Sequence, residues 1–144
     1  MLGLRSNIKK CNELVRLDRM LDETLFGAIS SDEHGAYIKQ NIEIIAKNKK
    51  ALVEIDSEKH SDAKRVAKYH ENIAICKSSV REHLRKLGAT PDVSDMIINC
   101  INSGDYQSVT LNVLKLMAVK NPGLNQKKYE QALKIFAAKK QNQH

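Results

Sequence analysis

Leu4, Ile8, Cys11, Val15, Leu21 and Leu25 recur at steps of three or four residues, and the polar Asp18 keeps the same phase. Leu14, Leu17 and Met20 widen the stripe. This spacing predicts one amphipathic helix of about 25 residues, ending near Gly27–Ile29. Ser30 or Ser31 offers the next N-cap. Asp32 and Glu33 then fall in the first turn, where the helix dipole favours acids. A second helix follows, carrying Tyr37, Ile38, Ile42, Ile45, Leu52 and Val53.

Residues 54–65, EIDSEKHSDAKR, are ambiguous. Between Ile55 and Val66 the only apolar side chain is Ala63, and Ser57 and Ser61 can both cap a helix. Yet no Gly or Pro occurs between Ala36 and Leu87, and the heptad phase from Ile38 to Leu87 survives the polar gap. An unbroken helix would bury Asp56 and Lys59, near a third polar position at Lys49. Unpaired buried charge costs several kcal/mol. A turn at Asp56–Ser61 exposes both groups, and it is the expected arrangement. His70 falls on the apolar stripe between Val66 and Ile73, which predicts a core or interface histidine.

Leu87-Gly88 reads as a helix stop. Pro91 suits the first turn of the next helix, or Ser94 its cap. Asp92–Asn102, Tyr106–Val119 and a segment after NPG at 121–123 read as three short helices. Asn125 is the expected cap of the last, which turns Tyr129, Leu133 and Phe136 inward and ends in a polar tail, KKQNQH. The expected fold is all-α: a long antiparallel helical bundle over residues 1–87, then a small subdomain of three short helices. In domain terms, residues 1–88 form the long-helix, oligomerising region, and 89–144 a C-terminal subdomain with a basic last helix.

Composition supports helices. Two prolines and six glycines in 144 residues leave little turn chemistry for a sheet protein. With 4% aromatic residues and no Trp, the core must be aliphatic. Cys11, Cys76 and Cys100 are widely spaced with apolar neighbours and no CxxC. They read as small buried hydrophobes in a reducing, cytoplasmic setting. Residues 1–17 have the look of a basic amphipathic leader, but their period runs on into Leu21 and Leu25, so they read as part of the fold, with no clear targeting signal. The longest apolar run, around Met96–Ile101, is far too short to span a bilayer.

The chemistry the sequence offers is sparse. His60, His70 and His83 are never one helical turn apart, and HExxH, ExxH, GxGxxG, P-loop and GxSxG patterns are missing. Cys76 and His83 share a helix face seven residues apart, about 10 Å and too far for a thiolate pair. No catalytic, cofactor or metal residue is therefore nominated, and the chain reads as non-enzymatic. MIINCINSGDYQSVTLNVLKLM fails as a DNA-reading helix-turn-helix, because its second helix is apolar all round and must be buried. SGDYQSVTLNVLKLMAVKNP and KKYEQALKIF resemble the second helices of tetratricopeptide repeats over about 30 residues, departing at Ile97 and Val109 where the repeat takes small residues. That resemblance implies packed helical hairpins and nothing more.

Charge and surplus apolar surface suggest partners. The net charge is +7, with +2 carried by residues 1–80 and +5 by 81–144. Arg81, Arg85, Lys86, Lys127, Lys128, Lys134 and Lys139 would form a phosphate-contacting patch for DNA or RNA if the third and last helices lay side by side. Stacking on single strands would need exposed aromatics, of which Tyr69 is the best placed. In a three-helix bundle Leu14, Leu17, Met20, Ile44 and Ile55 exceed what one face can bury, which predicts a homodimer through them. The sequence thus suggests an adaptor, regulator or assembly factor that binds itself and another protein. The alternative is a nucleic-acid-binding accessory protein.

Overall fold

The computed structural model describes residues 2–56 and 63–143, and every element in them is a helix: α1 (Leu2–Ile29), α2 (Glu33–Asp56), α3 (Ala63–Lys86), α4 (Pro91–Asn102), α5 (Tyr106–Lys120) and α6 (Leu124–Gln143). Of the expected turn, residues 57–62 lie outside the described residues. The helices on either side settle the direction of the chain. Asn41 Nδ2 donates to Ser79 Oγ at 3.0 Å, and Asn72 Nδ2 to Asn48 Oδ1 at 3.1 Å. Rising numbers on α2 thus meet falling numbers on α3, so the two form an antiparallel hairpin. The heptad phase seen across the gap is shared register, not continuity.

The helix ends follow from local chemistry. Ser30 Oγ and Ser31 Oγ donate back to the carbonyls of Phe26 and Ala28, closing α1 rather than opening α2. The opening cap of α2 is Asp32, whose Oδ1 accepts from the backbone N–H groups of His34 and Gly35. Thr90 caps α4, with Pro91 in its first turn, and Asp105 caps α5. Gly88, Gly104 and Gly123 have φ of 91°, 77° and 78°, the left-handed region that favours glycine at the turns flanking α4 and α5. Asn125 lies one residue inside α6, so it does not cap that helix, and the expected polar tail is helical through Gln143.

The all-helical expectation holds, but α1 has other neighbours than those foreseen. It packs along α6 and α5 and meets α2 only weakly, while α2 and α3 pack mainly on each other. The physical reason is α5. Val109, Thr110, Val113, Leu114, Met117 and Ala118 are buried over a broad half of its circumference, and α1, α2, α4 and α6 pack on it. One contiguous core draws on all six helices, from Leu17 and Leu21 through Ile38, Val80 and Ile101 to Ala132 and Ile135. On α6, Ala132 and Ile135 point inward, Tyr129 and Phe136 are half-buried, and Leu133 faces out, one position away from the expected stripe.

Two ends extend past this core. Residues 7–12 of α1 are all exposed, among them Ile8 and Cys11, which corrects the expectation of a buried Cys11. Cys76 is buried and Cys100 half-buried, as expected of small hydrophobes. The far part of the hairpin is also thinly packed: residues 63–72 of α3 include no buried side chain, and His70 is exposed. His70 is therefore not a core histidine.

Candidate functional site: an apolar groove between α4 and α5

The C-terminal half of α5 has one uncovered face. Leu116 and Val119 form a shared wall between two adjoining hollows of about 370 and 340 Å³. The first is completed by Lys86, Leu87, Gly88 and Lys120, where α3 ends. The second is completed by Val93 and Met96 of α4 with Asn112 and Lys115 of α5. Val119 is 79% exposed and Met96 42%, a poor placement for large apolar side chains unless something covers them.

The groove lies where α4 begins, at Val93 and Met96 after the Gly88 turn, against the last turns of α5. Lys49 holds the far end of α4 in place: its Nζ donates to the carbonyls of Ile101 and Asn102 at 2.6 and 3.2 Å, giving a cation to a helix C-terminus. Burial, then the nearby Lys77, lower the Lys49 pKa. At the other end Lys120 Nζ donates to Lys86 O at 3.1 Å, which fixes an ammonium at the rim. Lys86, Lys115 and Lys120 thus border an apolar floor, and no acid lines either hollow.

The residues nominated for phosphate contact do not gather at one place. Lys139 is turned inward, only 18% exposed, with Nζ 2.6 Å from Asp18 Oδ1 and 2.9 Å from Gln107 Oε1. Gln107 Nε2 donates in turn to Asp18 and Asp22 at 3.2 and 3.0 Å, so a hollow of about 400 Å³ near these groups is walled by a connected polar network. The Lys139 hydrogen bond, outweighing burial, holds the Asp18 carboxyl below its usual value. Arg81 pairs with Asp95 at 2.8 Å, and Arg85 with Glu82 at 2.7 Å. Lys127 and Lys134 are exposed on α6, Lys128 is half-buried beside α1, and α3 and α6 are not packing neighbours.

Of the residues nominated for self-association, Leu17 and Ile55 are 4% and 2% exposed and belong to the protein's own buried set. Leu14 is half-buried, while Met20 and Ile44 are exposed. Tyr69, expected to be exposed, is half-buried.

A histidine pair was not foreseen. His34 Nδ1 and His83 Nδ1 lie 3.0 Å apart across α2 and α3, and the Tyr37 ring stacks on His83 at 4.9 Å. Burial first, and then the neighbouring His34, hold His83 below its ordinary pKa. Cys76, once weighed as a partner for His83, is buried, which pushes its thiol pKa up. Among the described residues no group of three or more His, Cys, Asp or Glu could hold a metal ion, and no helix is long and apolar enough to cross a membrane.

The groove was hidden for a simple reason. An α5 apolar on every side reads as wholly buried, and only the placement of α4 shows which side is left open. His34 and His83 are 49 residues apart, and only the hairpin register brings them together. Comparison with known proteins adds no assignment: no protein-family model, curated protein or solved structure matches the chain.

Proposed function

We propose that this protein works by binding another protein, as a non-enzymatic helical adaptor or assembly regulator, and that the α4–α5 groove is its docking site. The observation that carries this reading is the apolar groove in which Val119 and Met96 are exposed and Leu116 and Val93 half-buried, above the buried Leu87. Covering such a face removes apolar area from water at about 25 cal/mol per Å². A helix laid in a groove is an established way to do so.

The test is capture from cells with the full-length protein beside Val119→Asp, followed by calorimetry of the purified partner. Val119 is mostly exposed, so the substitution leaves the core intact. A partner should bind the parent protein and be lost with Val119→Asp. Partners that all survive the substitution would refute the site.

Phosphate binding is the second reading, supported by the +7 charge and by exposed Lys127 and Lys134 on α6. Generic DNA and RNA should then shift in a gel at 50 mM salt and lose about a hundredfold in affinity by 200 mM, for roughly five contacts. Reversing Lys127, Lys128 and Lys134 should abolish the shift. Silence at low salt eliminates this reading.

A further inference from the structure

The groove also carries information about what fills it. We infer that its occupant is an acidic amphipathic helix belonging to a different chain; this rests on the reading of the groove as a docking site. Along α5 the lining runs from Asn112 to Lys120, about 12 Å of helix. That is a little over two turns, enough for side chains at positions i, i+4 and i+7 of a partner helix.

Charge selects among such helices. Lys86, Lys115 and Lys120 stand at the edge, and the lining contains no carboxylate to compensate them. A helix with apolar residues facing inward and Asp or Glu on its flanks buries the floor and meets three ammonium groups. A basic helix of the same shape meets three like charges. The lining holds no aromatic ring either, so a nucleic-acid base has nothing to stack on.

A second copy of this chain is a poor occupant for the same reason. Its protruding amphipathic end, residues 7–16 of α1, carries Lys9, Lys10 and Arg16, and its one acid, Glu13, is already paired with Arg16. Two molecules of charge +7 also repel as wholes.

The experiment is selection from a displayed library of 16-residue helical peptides, with Leu fixed at the inward positions and Glu, Lys, Gln or Ser varied on the flanks. Selection uses the full-length protein, with counter-selection against Val119→Asp. The enriched peptides should be net negative. Their affinity should fall at least about tenfold for the Lys86→Glu, Lys115→Glu, Lys120→Glu triple variant, since three opposite-charge pairs become like-charge pairs. Enriched peptides that depend on Val119 but are neutral or basic, or that ignore the triple variant, would overturn the acidic partner while leaving the docking site standing. Enrichment of no peptide sensitive to Val119→Asp would overturn the docking site itself.

Discussion

His83 and His34 can share a hydrogen bond only when one Nδ1 carries a proton and the other is bare. A proton on the second Nδ1 breaks that hydrogen bond and adds positive charge on a side of the hairpin that also holds Lys86, with Glu33 and Glu82 as the opposing charges. The folded pKa of His83 lies below the reference value of 6.5. The unfolded chain therefore takes up a proton first as pH falls, so this contribution to stability is complete above pH 6.5 and lost on going down through the folded value. The urea midpoint should fall as the pH drops below 6.5, and His83→Gln should flatten that part of the profile. An unchanged profile in the variant would show that other groups govern the window. At Lys139 the expected effect is smaller. Lys139→Met removes a partly screened ion pair and should cost about 1 kcal/mol in urea unfolding, whereas Lys134→Met, on the exposed face of the same helix, should cost nothing measurable. Neither pairing was legible in the sequence, because hydropathy marks which face of a helix is covered and not which side chain from a distant element covers it.

Most of the elements were legible because their punctuation is local. Gly88 and Gly123 end helices by their own backbone preference and Pro91 opens one, whereas the caps Thr90 and Asp105 were not read, and Ser94, the other cap considered for α4, is buried inside that helix. What surrounds each helix was not legible. The stripe on α1 is equally consistent with α2 and α3 or with α5 and α6 as its neighbours, and only the broad buried face of α5 decides between them. The joint between α1 and α2 gives a sharp test of the packing. A Cβ added at Gly35 would lie 2.1 Å from the Ile29 carbonyl oxygen, a backbone atom that cannot step aside, whereas one at Gly27 meets nothing within 4 Å. Gly35→Ala should therefore destabilise by about 2 kcal/mol or more, while Gly27→Ala, inside a helix, should stabilise by about 0.5–1 kcal/mol. Thermal unfolding of the two variants measures both, and equal effects would contradict the close approach. The hairpin makes a prediction of its own. Amides of residues 63–72, none of whose own side chains is buried, should exchange with deuterium faster than those of 73–86, where Ile73, Cys76, Val80 and Leu84 are buried. Uniform protection along α3 would mean that a second molecule covers the tip.

At the scale of the whole molecule, the case for a homodimer narrows to fewer residues. It rested on five apolar residues, of which Leu17 and Ile55 are buried within the protein, Leu14 is half-buried, and Met20 and Ile44 are exposed. Light scattering at micromolar concentration should give the monomer mass of 16.2 kDa. A doubled mass that Val119→Asp restores to 16.2 kDa would place a second copy in the groove and contradict the acidic partner. The most direct test of the docking claim is methyl NMR of the full-length protein, titrated with the tightest helical peptide from the selection. Shifts should concentrate at Leu87, Val93, Met96, Leu116 and Val119, with the methyl groups of Ile8, Val15, Ile44 and Ile75 unmoved. Movement of that second set, with the groove methyls silent, would show that the protein presents a different surface to its partner.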